Sequence, residues 1–214
     1  MTIMMKDSAR TRAYDRIRAG ILNGTFPAGS FIEEAQASAL AEVSRTPVRE
    51  ALNQLAAEGF LDLLPRRGAM VRHVTAQELV DLYEARKLIE GHAADVICET
   101  DRGAPPEMRR LAAEMEALPL EDALQHVELN GRFHAALMAH CGNQILIRMS
   151  EAMSANVTRI GFSAFTIDRD RRALIDREHS ALVEALDAGD AARARAILKV
   201  HLEAPAHILA KLPR

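Results

Sequence analysis

The chain has no tryptophan, two tyrosines and two cysteines in 214 residues, and aromatics make up only 4% of it. Cys98 and Cys141 lie far apart and form no CxxC pair. That excludes a disulfide framework and a cysteine metal knuckle; the two read as reduced, packed thiols. No run approaches the roughly 18 apolar residues of a membrane span. The opening MTIMMKDSAR lacks the apolar core of an export signal. A soluble cytoplasmic protein with no membrane partner is the expectation. Nucleophile motifs such as GxSxG are missing as well. What is present is 49% apolar and 27% charged residue, rich in Ala and Leu. That is enough for a core without staples, and it favours helix.

Charge divides the chain. Residues 1–74 hold 10 Lys and Arg against 8 Asp and Glu, or +2; residues 75–214 hold 17 against 22, or −5. Seven of the eight histidines fall in the second part. A basic-leaning piece joined to an acidic, His-rich piece implies two jobs. The boundary is placed at Val74, giving domains 1–74 and 75–214.

The spacing predicts helices over 8–23, 33–41 and from Ser44 to Gly59, then a β-hairpin. Val48, Ala51, Leu52 and Leu55 repeat at i, i+3, i+4, i+7. Ser44 or Thr46 can cap that helix, and Pro47 is tolerated in its first turn. Phe60–Leu64 and Ala69–Val74 flank the turn signal Pro65-Arg66-Arg67-Gly68. Three helices and a hairpin give the layout of a winged helix-turn-helix. In that fold the second helix of the motif enters the major groove N-terminus first. Arg45, Thr46 and Arg49 lie opposite the apolar face, and Arg45 and Arg49 are one turn apart. Guanidinium groups bind guanine or phosphate, and Thr46 can bond either. Arg66, Arg67 and Gly68 at the hairpin tip suit a wing. The bland alternative is an Arg-bearing solvated helix and an ordinary charged turn.

Beyond Thr75 no strand signal appears. Helices are predicted near 76–99, 106–117, 120–141, 144–163, 168–188 and 191–211, which makes an antiparallel helical bundle. Asn130 and His134 share one helix face. His179 lies 10 residues before Gly189, and His201 lies 11 after Asp190. If the chain folds back at Gly189-Asp190, both histidines sit about 15 Å from the turn. Asn130, His134, His179 and His201 can then converge. Three imidazoles and one oxygen suit Zn²⁺, Ni²⁺ or a similar metal. His73, His92, His126, His140 and His207 read as ordinary hydrogen-bonded core residues, and His126 is too far from His134 to share its metal. Asn143 reads as a helix cap.

Two resemblances follow from these residues. Ser44-Arg45-Thr46-Pro47-Val48-Arg49-Glu50-Ala51-Leu52, with Leu55, Glu58-Gly59 and Pro65-Arg66-Arg67-Gly68, resembles the GntR family of bacterial transcription regulators over residues 12–74. Two positions depart from it. Ala35 stands where a basic residue is common. Glu42 stands where glycine is usual, in a turn that favours positive φ. Leu82-Tyr83-Glu84-Ala85-Arg86 with Glu90, Asn130-Gly131-Arg132-Phe133-His134, Glu178-His179 and His201-Leu202 resemble the FCD ligand-binding domain of the FadR subfamily over residues 76–205. The resemblance implies a homodimeric repressor on a near-palindromic DNA operator. It also implies an Asp and three His holding a metal on which a small carboxylate effector binds; Arg86, on a helix that the resemblance sets against the pocket, is the candidate clamp for that carboxylate, and Asn156 and Arg159 are further candidates for the cavity. Here Asn130 replaces that Asp: it offers an amide oxygen but no charge. A metal-responsive sensor and a His-ligated metal enzyme are the alternatives.

Overall fold

In the computed structural model, residues 8–65, 67–100 and 102–213 are described. The chain divides into two compact units, Met1–His73 and Val74–Arg214.

The first unit opens with α1 (Ala9–Leu22), whose start is capped by the Ser8 hydroxyl accepting from the Thr11 N–H. Then follow β1 (Phe31–Ile32), α2 (Glu34–Ala41), α3 (Arg45–Ala57), β2 (Leu61–Leu64) and β3 (Gly68–Val71). Ala13 and Ile17 of α1 are buried with Val48, Ala51 and Leu55 of α3. The same i, i+3, i+4, i+7 spacing that defines α3 therefore also seats it. The sheet has three strands, ordered β1-β3-β2 and antiparallel throughout, where the sequence indicates only a hairpin. Two residues, Phe31 and Ile32, pair with Met70 and Ala69. That strand is too short to show an alternating pattern. Ser44 occupies the cap position of α3, but its side chain makes no capping bond, and Thr46 lies inside the helix. Neither hydroxyl is the cap that the sequence suggests.

Between α2 and α3 the chain turns through Glu42, which sits at φ 55°, ψ 42°. It is the one non-glycine with positive φ among the described residues. A side chain there costs roughly 1–2 kcal/mol relative to glycine, partly offset by glycine's greater freedom when unfolded. Glu42→Gly is therefore expected to raise stability by about 1 kcal/mol, read as a higher urea midpoint. A midpoint that falls would show that the Glu42 side chain has a stabilising role of its own.

The second unit is all helix: α4 (Ala76–Glu99), α5 (Pro106–Ala117), α6 (Ala123–Ala139), α7 (Gln144–Ile167), α8 (Arg172–Asp187), α9 (Ala191–His201) and α10 (Ala206–Leu209). A reciprocal Thr75–Glu78 capping box starts α4, and the Asn143 side chain caps α7. Gly189 at φ 64° ends α8, and the Asp190 carboxylate caps α9. The predicted helix over 191–211 is two helices, because Pro205 cannot continue the first. The core runs through Ile89, Ala93 and Ile97 of α4, Met108 and Leu111 of α5, Phe133 and Leu137 of α6, and Leu182, Leu186 and Leu198 of α8 and α9. Among the described residues no helix is long and apolar enough to cross a membrane.

Candidate functional site

In the first unit, Ser44, Arg45, Thr46 and Arg49 are all exposed at the start of α3. No acidic residue occupies its first turn, so the positive end of the helix dipole is left for an anion. The Arg49 Nε donates to Glu34 Oε1 at 2.6 Å, an exposed bridge from α3 to α2. Arg67 is exposed in the turn, and Gly68 opens β3 at φ 93°. Arg66 lies outside the described residues.

In the second unit, α6, α8 and α9 bring His134, His179 and His201 together, all buried. Folding back at Gly189 sets the last two at matching heights. His134 Nε2 lies 3.1 Å from His201 Nε2 and 3.3 Å from His179 Nε2. The Phe133 ring packs against His179 with centroids 4.2 Å apart. Behind the cluster, carboxylates hold two of the rings. Glu90 Oε2 is 2.7 Å from His134 Nδ1, and Glu178 Oε2 is 2.8 Å from His201 Nδ1. A carboxylate accepts, so each Nδ1 carries the proton and each Nε2 presents a lone pair. Two lone pairs thus face one another across 3.1 Å. His179 can lend a proton to one of them; the other stays unmatched. A tetrahedral metal with Zn–N bonds of ~2.0–2.1 Å sets its nitrogens about 3.3 Å apart, close to the spacing here. The three rings therefore fit a metal ion.

Electrostatics agree. Burial above all holds His134 neutral, down to about 4, with Arg86 and His201 adding to it against the pull of Glu90. His179 is pushed well below the usual imidazole range, again mainly by burial. Burial opposes the Glu90 charge, but Arg86 and His134 outweigh it and keep the carboxylate ionised. The unfolded chain takes up the two ring protons near the ordinary value of 6.5. Below that pH it binds more protons than the fold does, so stability falls as pH drops toward 4. Each ring adds to that slope until the pH reaches its own depressed value. Chelator-treated protein is expected to lose thermal midpoint steadily from pH 7 to pH 5. A flat midpoint would contradict the buried neutral rings.

His201 also edges a cavity whose polar lining includes Arg86, His126, Asn130 and Arg171, with Leu82, Val127, Phe165 and Ile208 among its apolar walls. Arg86 and Glu90 occupy core positions on the buried face of α4. The Arg86 Nε donates to Glu90 Oε1 at 2.7 Å, while its buried Nη2 has no partner. Asn130 lines the same cavity one turn before His134. Asn156 and Arg159 do not line it; Arg159 reaches Glu78 at the start of α4 instead. His73, His92, His140 and His207 are exposed, not core, so only His126 of that group is buried. Sequence reasoning passed over Glu90 and Glu178 as histidine partners. Each pairs with a ring on another helix, which spacing along one helix does not reveal.

Residues 81–204 match the FCD domain, and residues 9–71 match the bacterial regulatory proteins of the gntR family. The Nta operon transcriptional regulator of Aminobacter aminovorans is 33% identical over 156 residues, 72% of either chain. The HTH-type transcriptional repressor GlaR of Escherichia coli (strain K12) is 27% identical over 212 residues, 92% of this chain and 93% of that one. A solved GntR transcriptional regulator from Rhodococcus sp. RHA1 superposes with a TM-score of 0.73 at 27% identity, covering 94% of this chain and 98% of that one.

Proposed function

This chain belongs to the GntR family of bacterial regulatory proteins and carries an FCD domain, and from that premise we propose an effector-controlled repressor with a metal at its sensing site. That the relatives regulate transcription removes the metal-enzyme alternative. In this reading a homodimer places two copies of α3 in successive major grooves of a near-palindromic operator. Ser44, Arg45, Thr46 and Arg49 meet bases and phosphates there, and the wing residues Arg66, Arg67 and Gly68 reach the neighbouring backbone or minor groove.

The observation that carries the sensing half is the convergence of tautomer-fixed Nε2 atoms beside a cavity where Arg86 Nη2 has no partner. His134, His179 and His201 would hold Zn²⁺ or Ni²⁺, with the Asn130 amide oxygen as the fourth, uncharged ligand. A bound metal supplies a Lewis-acidic anchor for a carboxylate. Arg86, steered by Glu90, grips that carboxylate from the side.

The test begins with operators selected from random duplexes by the full chain. Anisotropy titrations with Zn²⁺ alone, and then with acetate, lactate and citrate, follow. Release by a carboxylate that requires bound metal supports the reading. Affinity that tracks Zn²⁺ with no organic acid would make the protein a metal sensor. No response to either would overturn control at this site.

A further inference from the structure

One buried ring in the cavity wall is not used by the metal reading. His126, 2% exposed, stands on α6 one turn before Asn130 and two turns before His134. Its Nε2 lies 2.8 Å from Asp176 Oδ1 on α8. Its Nδ1 has no hydrogen-bond partner among the described residues, and the ring lines the cavity. Asp176 is in turn matched by Arg172, Nε to Oδ2 at 3.8 Å. The Arg172 guanidinium also donates to the carbonyls of Met115, Leu118 and Pro119, at 2.9, 2.6 and 2.6 Å. Asp176 thus faces both the His126 ring and a guanidinium. When the ring carries a single proton, the Asp176 carboxylate keeps it on Nε2 and leaves a bare lone pair at Nδ1.

We infer that His126 Nδ1 accepts a hydrogen bond from a hydroxyl of the effector, so that the cavity selects a hydroxy acid rather than a plain or dibasic acid. The inference rests on the carboxylate reading above and extends it to the far end of the ligand. With the carboxylate near Asn130 and Arg86, the hydroxyl lies about one helical turn away, ~6 Å. A methyl group leaves the lone pair unmet. A second carboxylate meets it acceptor to acceptor.

Three acids on one carbon skeleton test this: 6-hydroxyhexanoate, hexanoate and adipate, titrated calorimetrically into the full-length, Zn²⁺-incubated protein. The hydroxy acid is expected to bind about tenfold tighter than either of the others. His126→Leu should abolish its advantage over hexanoate. Asp176→Asn keeps the ring but lets an amide donate to Nε2, which moves the ring proton to Nδ1; the gap to adipate should narrow. No hydroxyl preference in the wild type, or a preference that survives His126→Leu, overturns the inference. A gap to adipate that stays as wide in Asp176→Asn overturns the tautomer assignment on which it depends. If acetate and lactate bind while 6-hydroxyhexanoate has no advantage, the hydroxyl subsite alone fails. If no carboxylate binds, the effector reading fails with it.

Discussion

Replacing His179 by Ala is expected to cut metal content to under a tenth of the wild-type value and abolish the response to carboxylates. Affinity for the operator without effector should stay within a few-fold. The ring supplies one of three converging nitrogens, so its loss leaves two imidazoles and, on the proposed reading, a neutral amide, too few strong ligands for a stable site. It is also buried against Phe133, so truncation opens a void and costs about 2–4 kcal/mol. His179→Gln, which keeps more of the volume, separates the two effects. It should recover stability without recovering metal. A His179→Ala protein that still carries metal and still responds would remove this ring from the sensing site.

The second large effect is expected in the first unit. Arg49→Ala should weaken specific operator binding by about 1–3 kcal/mol, a factor of roughly 5 to 150, with a much smaller change on unrelated duplex DNA. Arg49 is exposed at the leading turns of α3, and its partner is Glu34 on α2. That partner matters for the size of the loss. Once the guanidinium is gone, Glu34 keeps its charge with only the weaker pull of Arg45 left to offset it, and on the proposed reading that charge opposes phosphate. Arg49→Lys should recover little if the contact is bidentate, because an ammonium cannot reproduce the planar fork. Competition titrations at fixed salt decide the matter, since salt alone moves such affinities by orders of magnitude. Unchanged specific affinity in Arg49→Ala would take this side chain off the DNA.

Much of this was legible in the sequence where the physics is local. The α3 periodicity, the Asn143 cap and the breaks at Gly142-Asn143 and Gly189-Asp190 all depend on neighbours within a few residues. The turn at Glu42 is legible only through the family resemblance, in which glycine is usual there, and the backbone adopts φ 55°. The histidine heights were also legible, because a fold-back at one turn converts residue counts into distances. What escaped depends on contacts between helices. Glu90 looks like the i+4 partner of Arg86, which it is, but its other oxygen holds His134 on α6. His126 looks like a plain core residue until Asp176 arrives from α8. The helix expected over 191–211 is divided at Pro205 into α9 and α10, a break that the sequence reading did not use. The exposed His92 and His140 show the reverse error, since a histidine in a helix was taken for a buried one.

The most direct test of the account is metal content per chain, measured by elemental analysis on untagged protein purified without chelator. Close to one Zn or Ni per chain is expected, lost on His134→Ala and His201→Ala as on His179→Ala. Protein that holds no metal even after incubation with Zn²⁺ and Ni²⁺ would contradict it. In that case Asn130 has closed the site to metal, and the three rings serve only as hydrogen-bonding groups in the cavity floor.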